Sequence, residues 1–247
     1  MFTFFQKKIF LADYLHGLVD IHNHILPGID DGAKTVQDSL YLINEFKKVG
    51  ITNFICTPHI MHNYYPNTPA TIQNSFNKLR IELENQNMKD ISIQFSAEHM
   101  IDDNFETILR NGEVVPLKND YLLVEMSYLQ PSINFEQAIE EVAKRKYFPI
   151  LAHPERYAYF HQKSKVYQSL KNQGVLLQLN LLSLTANAYG NGVHKCAQKL
   201  LEDGLIHFVA SDVHNIQQLR MIKEAKISSA TLKKILPVIE NTIRTFY

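Results

Sequence analysis

Seven short apolar runs alternate with helical patterns along this chain, and that alternation restricts the fold more than any other feature. The runs are rich in Val, Ile, Leu and Phe, as expected for strands buried on both faces. We predict strands over residues 17–22, 52–57, 91–97, 121–126, 148–152, 175–180 and 205–211. A strand–helix alternation repeated seven times predicts βαβ units and therefore an α/β fold with a parallel sheet. A closed barrel and an open doubly wound sheet both fit this pattern.

The segments between the runs carry helix signals. Thr35 is placed to cap a helix that stops at Gly50, and Thr68 with Pro69 opens a second helix. Further helices are predicted over 135–146, 162–173 and 193–203, and 216–247 is predicted to be helical without a strand. Residues 1–16 are predicted to form an N-terminal helical extension of a single domain that spans 1–247.

Charge and cysteine content exclude several classes of protein. The chain has 25 Lys and Arg against 25 Asp and Glu, and this neutrality argues against a nucleic-acid partner or a polymerase-type nuclease. Its two cysteines, Cys56 and Cys196, form no C-x-x-C motif and imply no disulfide framework, which favours the cytoplasm. No apolar run is long enough to span a membrane. The first strand–helix turn lacks a G-x-G-x-x-G motif and a Walker lysine.

Each predicted strand ends in an acidic, imidazole or amide side chain. In a parallel barrel the carboxyl ends of the strands build the active site. Glu125 is the most informative of these residues, because it lies inside the apolar run "YLLVEM" and a buried carboxylate without a partner is costly. The candidates are His22, His24, Asp30 or Asp31, His59, Glu98, Glu125, His153, Asn180, Asp212 and His214.

Such a set of carboxylates would repel one another unless cations lay between them. Imidazole and carboxylate ligands without thiolate favour Zn, Mn or Fe, and nine ligands are too many for one tetrahedral ion. We therefore predict two or three divalent ions. Clusters of this kind activate a water molecule and stabilise in-line displacement, which predicts hydrolysis of a phosphate ester.

Two arginines are predicted to bind the phosphate and act in catalysis. Arg156 follows His153 in "HPERY", and Arg220 follows the last strand in "SDVHNIQQLR". The alternative for Arg156 is a structural ion pair with a glutamate. A cysteine phosphatase is excluded, because the C-x5-R motif fails at both cysteines, and the serine hydrolase motif G-x-S-x-G is absent.

The ordered motifs "DIHNHILPGIDDG", "TPH", "AEH", "VEMS", "AHPERY" and "ASDVHN" resemble the polymerase-and-histidinol-phosphatase (PHP) superfamily. Within it they look like the bacterial manganese-dependent protein-tyrosine phosphatases of capsule and exopolysaccharide operons, the CpsB/YwqE type. The resemblance implies a distorted seven-stranded (β/α) barrel, TIM-like, with a trinuclear metal centre. It selects Asp31 rather than Asp30. The implied ligands are His22, His24, Asp31, His59, Glu98, Glu125, His153, Asp212 and His214.

The same resemblance implies an activity and a partner. It implies hydrolysis of phosphotyrosine on a bacterial tyrosine kinase or polysaccharide co-polymerase, with Mn as the metal and Fe or Zn as alternatives. It places phosphate-binding arginines at Arg156 and, one position later than in the family, at Arg220. A histidinol-phosphatase-type enzyme and a non-enzymatic, metal-stabilised kinase adaptor are the alternatives. Asp20 and Asp30 are expected to support ligands or cap turns, and His62, His99 and Asn180 to lie near the rim.

Overall fold

The computed structural model describes residues 9–163 and 165–247, which form a mixed α/β structure with parallel sheets. All seven predicted strands are present: the fifth has its predicted bounds, the other six are shorter, and the second and third are each continued, after two residues, by a further short strand. They are β2 (Val19–Asp20), β3 (Asn53–Cys56), β4 (His59–Ile60), β5 (Ser92–Phe95), β6 (Glu98–Met100), β7 (Tyr121–Glu125), β8 (Phe148–Ala152), β9 (Leu176–Asn180) and β10 (Phe208–Ala210). Two further short strands are β1 (Ile9–Phe10) and β11 (Lys226–Ile227).

The strands follow one another in chain order around the molecule. One parallel sheet has the order β2-β3-β5, and the other has the order β10-β9-β8-β7-β6-β4. Only two residues separate β3 from β4, and only two separate β5 from β6. The chain therefore passes directly from one sheet to the other at these two places. Backbone hydrogen bonds from Asp212 to His22 (2.8 Å) and from His24 to Val213 (3.0 Å) bring the last segment beside the first. The arrangement is a distorted seven-stranded barrel of the TIM-like type.

The helices confirm most of the sequence signals. Thr35 and Thr68 each form a reciprocal capping box at a predicted helix start. A seven-residue helix after β6 was not predicted, since two turns are too short to show a period. The helices are α1 (Val36–Lys47), α2 (Pro69–Asn85), α3 (Phe105–Asn111), α4 (Phe135–Lys144), α5 (Lys165–Asn172), α6 (Ala186–Glu202), α7 (Ile216–Glu224) and α8 (Ser229–Phe246). The early start of α6 reflects a kink at Gly190.

Both chain ends differ from their predictions. The prediction that 216–247 contains no strand was wrong, because β11 interrupts it and pairs antiparallel with β1, Ile9 opposite Ile227. Of the predicted N-terminal helix, residues 1–8 lie outside the described residues, Ile9–Phe10 form β1, and Leu11–Tyr14 form a short 3₁₀ helix. A two-residue strand whose partner lies over 200 positions away leaves no local periodicity.

The barrel strands bury nearly all of their residues. In β7, β8 and β9 only the first residue of each strand is not fully buried. Since the strands are parallel, their carboxyl ends meet at one end of the barrel. None of the helices in the described part of the chain is both long and apolar enough to cross a membrane.

Candidate metal centre

The turn after β2 aims two histidines at the barrel interior. The backbone N–H of Gly28, at φ +68°, donates to the Ala33 carbonyl at 2.8 Å. A Cβ on Gly32 would lie 2.0 Å from the His24 carbonyl oxygen, so only glycine fits there. The Asp30 carboxylate accepts hydrogen bonds from the Gly32 N–H (2.9 Å) and from His24 Nδ1 (2.8 Å). The turn thereby fixes the ring of His24.

The structure brings together all nine side chains that the resemblance implies as ligands. They form four overlapping groups of three or four residues, and within each group one nitrogen or oxygen atom per residue lies within 4.8 Å of the others. The groups are His22, His24 and Asp212; His22, Glu98 and His153; His59, Glu98 and Glu125; and His24, Asp31, His59 and His214.

Glu98 lies at the centre of this cluster and is fully buried. Its Oε2 atom is 3.2 Å from His22 Nε2 and 3.1 Å from His59 Nδ1. Its Oε1 atom is 3.0 Å from His153 Nε2. With His24 Nε2 at 3.5 Å from Oε2, one carboxylate therefore faces four imidazoles, and Glu98 would be a ligand of ions that this cluster holds.

Several buried atoms of the cluster have no hydrogen-bond partner among residues 9–163 and 165–247. They include His59 Nδ1, Glu98 Oε2 and Glu125 Oε1. His59 Nδ1 lies only 2.9 Å from Glu125 Oε1, yet the geometry is not that of a hydrogen bond. An unpaired buried polar atom is costly, and a cation bound between such nitrogen and oxygen atoms would satisfy them. The side chains therefore fit divalent metal ions.

Asp31 forms the outer edge of the cluster. Its side chain is 48% exposed, and its Oδ1 atom lies 3.5 Å from His59 Nε2 and 3.5 Å from His214 Nε2. The His24 and His214 rings stack with their centroids 3.8 Å apart. The outer group thus faces solvent, whereas the groups around Glu98 do not.

Burial and charge compete at these ligands. Burial alone would raise the pKa of Glu98, but the imidazoles of His22 and His59 outweigh it and hold that pKa well below its ordinary value. Burial also opposes ionisation of Asp212, whose pKa is nevertheless held well below its usual range, chiefly by His22. Burial, reinforced by the neighbouring His24, lowers the pKa of His214 to about 4. The low pKa values of Glu98 and Asp212 favour their ionised forms, which bind cations.

A layer of polar side chains holds the ligands from behind. Gln178 Oε1 lies 2.8 Å from His22 Nδ1, and Asn180 Nδ2 donates to Asp212 Oδ2 at 2.7 Å. Asp20 accepts hydrogen bonds from the backbone N–H and the hydroxyl of Ser211, at 2.9 and 2.6 Å. Such contacts fix ligand orientation. Sequence reasoning missed Gln178, although a polar residue inside the buried strand "VLLQLN" was an available signal.

Two ligands have a backbone conformation that is unusual for residues other than glycine. His153 has φ +36° and Asp212 has φ +53°, both in the left-handed region. Both follow directly after, or close to, the end of a strand, where the chain turns away from the barrel. Strain of this kind is concentrated at functional sites, where the surrounding structure holds it in place.

Arg156 lies between two tyrosine rings. Its guanidinium carbon is 4.4 Å from the ring centroid of Tyr128 and 4.4 Å from that of Tyr189. Its NH1 atom donates to Asp212 Oδ2 at 2.8 Å. Cation–π contacts on both faces fix the plane of the guanidinium. Sequence reasoning found Arg156 but not the tyrosines, of which Tyr189 lies 33 positions further along the chain on α6.

The remaining predicted site residues lie in different places. Arg220 is exposed on α7 and is not among the residues that line the cavity over the cluster. His62 does line this cavity. The expectation that His99 lies near the rim was wrong, because its ring is buried between the Leu123 carbonyl (2.9 Å) and the Val115 N–H (3.1 Å). Asp20 and Asp30 have the supporting positions expected of them, whereas Asn180, also expected near the rim, is fully buried and supports Asp212.

A cavity of about 1120 Å³ opens over the cluster. Asp31, His59, Glu98, Glu125 and Arg156 lie in its wall. The rest of the wall comes mainly from two segments, residues 61–65 and 127–134. A substrate in this cavity would therefore contact the candidate ligands and Arg156 together.

The chain is similar to proteins that are named tyrosine-protein phosphatases. It is 30% identical to the tyrosine-protein phosphatase YwqE of Bacillus subtilis over 201 residues, 81% of this chain and 78% of YwqE. It is 28% identical to CapC of Staphylococcus aureus over 228 residues, 92% of this chain and 89% of CapC. A solved structure from work on YwqE and on CpsB of Streptococcus pneumoniae, described as metal-dependent tyrosine phosphatases, matches with a TM-score of 0.74 and 28% identity. It covers 91% of this chain and 95% of that one.

A more distant solved structure matches the fold, and a family model matches most of the chain. An amidohydrolase from Mycoplasma synoviae shares the fold alone, with a TM-score of 0.55 and 13% identity over 98% of this chain and 92% of its own. The family model described as "Capsular polysaccharide synthesis, CpsB/CapC" matches residues 18–236, which include every residue of the cluster. With its cluster of imidazoles and carboxylates suited to metal ions, the chain belongs to the CpsB/CapC family of capsular polysaccharide synthesis.

Proposed function

We propose that this protein is a metal-dependent phosphatase that hydrolyses phosphotyrosine in proteins. The observation that carries the proposal is the convergence of His59 Nδ1, Glu98 Oε2 and Glu125 Oε1 without a hydrogen bond to satisfy them. The nine clustered side chains would hold two or three divalent ions. Mixed imidazole and carboxylate ligation suits Zn, Mn or Fe, and the resemblance to manganese-dependent enzymes favours Mn among them. When bound, such ions supply Lewis-acid activation of water and neutralise charge on the phosphoryl oxygens.

The chain's own residues perform the remaining work. Arg156 faces the cavity and uses one N–H on Asp212, so its other donors are available to the non-bridging phosphoryl oxygens. Asp212 keeps the guanidinium close to the cluster, and Asn180 holds Asp212. A phenolate leaving group has a pKa of about 10 and needs less help from an acid than an alkoxide does. Arg220 has no such position, and its predicted phosphate contact gains no support from the geometry.

The biological setting is proposed from the family. The family's description in capsular polysaccharide synthesis supports a tyrosine-phosphorylated kinase or polysaccharide co-polymerase as the partner. The two cysteines are free and buried, as suits the cytoplasm. One hydrophobic cluster contains residues from Leu11 to Ile239, which supports a single domain.

A small-molecule phosphatase of the histidinol-phosphatase type is the alternative function. The test is metal analysis of the protein purified without chelator, followed by kinetics on a phosphotyrosine peptide and on histidinol phosphate. We expect bound Mn, Fe or Zn and a higher kcat/KM for the peptide. EDTA should abolish activity. The Cys56→Ser variant should keep its activity, because Cys56 is buried and does not begin a C-x5-R motif. Activity that survives exhaustive chelation, or a preference for histidinol phosphate, would overturn the proposal.

A further inference from the structure

The cavity over the metal cluster has an apolar rim. Ten large apolar or aromatic side chains are exposed in the described part of the chain, and four of them line this one cavity. Leu129 is 91% exposed, Ile133 is 99% exposed and Tyr64 is 77% exposed. We call Tyr64, Leu129, Pro131 and Ile133 the apolar lip. Clustered exposed apolar residues mark a binding surface, whereas scattered ones do not.

The two segments that carry the lip are fastened to the barrel. In the 127–134 segment the Ser127 carbonyl accepts from the Tyr159 hydroxyl at 2.9 Å, and the Ser132 hydroxyl donates to the Ile101 carbonyl at 2.6 Å. The 61–65 segment is closed on itself by backbone hydrogen bonds of 2.9 Å between Met61 and Tyr65, and its His62 N–H ties it to the Asp102 carboxylate. The hydrogen bonds of Ser127 and Ser132 fix the backbone beside Leu129 and Ile133. The two side chains are therefore exposed because of the way the chain folds.

One acidic residue joins the two walls. The Asp102 carboxylate accepts from the backbone N–H of His62 at 2.7 Å, and its carbonyl accepts from the Asn134 side chain at 3.5 Å. Asp102 and its exposed neighbour Asp103 also line the cavity, as does Asp31. The entrance is therefore apolar with negative charge beside it. Such a surface attracts apolar groups and repels acidic ones.

We propose that the apolar lip binds an apolar side chain of the substrate protein next to its phosphotyrosine, and that acidic residues at that position lower kcat/KM. This inference rests on the proposed function and deepens it. A cavity of about 1120 Å³ exceeds the usual 300–1,000 Å³ of small-molecule sites, and its lip is continuous with the metal cluster. A phosphate group on the cluster would leave the lip free for the chain that flanks the phosphotyrosine.

The test uses three phosphotyrosine peptides that differ only in the two residues flanking the phosphotyrosine, which are Leu, Ser or Glu. The manganese-loaded enzyme should hydrolyse the Leu peptide with a kcat/KM about tenfold above that of the Ser peptide, equivalent to 1.4 kcal/mol. The Glu peptide should be the poorest. In the double variant Leu129→Ser, Ile133→Ser the Leu and Ser peptides should become equal, and hydrolysis of phenyl phosphate should stay unchanged.

Controls separate the lip from general effects. Ile81→Ser removes an exposed apolar side chain of α2 that does not line the cavity, and it should leave the peptide preference intact. Binding of the Leu peptide with a non-hydrolysable phosphotyrosine mimic should weaken in the double variant and not in Ile81→Ser. Metal content and thermal melts verify folding.

The outcomes are distinguishable. Phosphotyrosine hydrolysis without any preference among the three peptides, or a preference that survives in the double variant, overturns the lip proposal and leaves the proposed function standing. Failure of the wild-type enzyme to hydrolyse any phosphotyrosine peptide overturns both.

Discussion

At the residue scale, Arg156 is held by three neighbours before any substrate arrives. Asp212 Oδ2 accepts its NH1 hydrogen at 2.8 Å, and the rings of Tyr128 and Tyr189 cover both faces of the guanidinium. A flexible side chain loses rotamer freedom when it binds, and the stacking removes that freedom in advance. The guanidinium is thus presented to the cavity in a fixed plane.

We predict that Arg156→Ala keeps its fold and metals and loses roughly 10²–10³ in kcat/KM, as expected for removal of one donor to a transition-state charge. The measurements are steady-state kinetics, metal content and thermal melts. Arg80→Ala removes an exposed arginine paired with Glu84 on α2 and serves as the matched control. A metal-loaded Arg156→Ala protein with normal kinetics would show that the residue is only a structural partner of Asp212.

Tyr189 offers a separate test of the stacking. Tyr189→Phe keeps the ring and should remain within about twofold of the wild-type kcat/KM, whereas Tyr189→Leu removes one face of the stack and should lose about tenfold, in line with roughly 1–2 kcal/mol for such a contact. The inhibition constant of inorganic phosphate should weaken in the Leu variant only. Equal losses in both variants would instead assign the effect to the hydroxyl, which lies 3.4 Å from Asn180 Nδ2.

At the element scale, the junction between β9 and β10 contains a histidine that must stay neutral. The backbone N–H of Leu177 donates to the ring atom Nδ1 of His207 at 3.0 Å, and the backbone N–H of His207 donates to the Leu177 carbonyl at 2.9 Å. Burial, together with the nearby Lys171, lowers the pKa of His207 to about 4. Protonation at Nδ1 would replace this acceptor with a second donor.

The pH dependence of stability follows from that shift. Between pH 6.5 and about 4, His207 is protonated in the unfolded chain but stays neutral in the folded chain. Because the unfolded state then binds more protons, His207 makes the free energy of unfolding fall as the pH falls. His207→Asn can still accept from Leu177 but does not titrate. Urea unfolding at pH 7 and pH 5 should show a smaller loss of stability in the variant than in the wild type. Identical losses would contradict the prediction.

The elements also show what a sequence can and cannot reveal. Apolar runs located all seven strands, and the polar residue at each strand end located the cluster, because burial and chain direction are written in local pattern. The short continuations of the second and third strands, the two-residue pair β1 and β11, and the seven-residue α3 left no periodic signal. Gln178 and Tyr189 act through contacts with His22 and Arg156 that only the folded chain creates.

At the scale of the whole molecule, the candidate ligands come from nearly every part of the barrel. They extend from His22 after the first strand to His214 after the last, and Glu98 and Glu125 come from its middle. Ions held between them would join distant segments of one chain. Without ions, buried atoms of Glu98, Glu125 and His59 face one another without a hydrogen bond. Metal binding and stability of the fold are therefore linked.

Metal removal should lower the melting temperature. A ligand at 100 times its dissociation constant stabilises the folded state by about 2.7 kcal/mol, and for a chain of this size each kcal/mol corresponds to roughly 2–4 °C. We therefore expect the EDTA-stripped protein to melt about 5–10 °C below the manganese-loaded protein in differential scanning fluorimetry. Mg²⁺ should not replace Mn²⁺, because Mg²⁺ prefers a shell of oxygen ligands that includes several water molecules.

Glu98→Gln removes the charge at the centre of the cluster, so the melting temperature of this variant should no longer respond to Mn²⁺. If the stripped and the manganese-loaded wild-type protein had the same melting temperature, these nine side chains would not hold metal in the folded state.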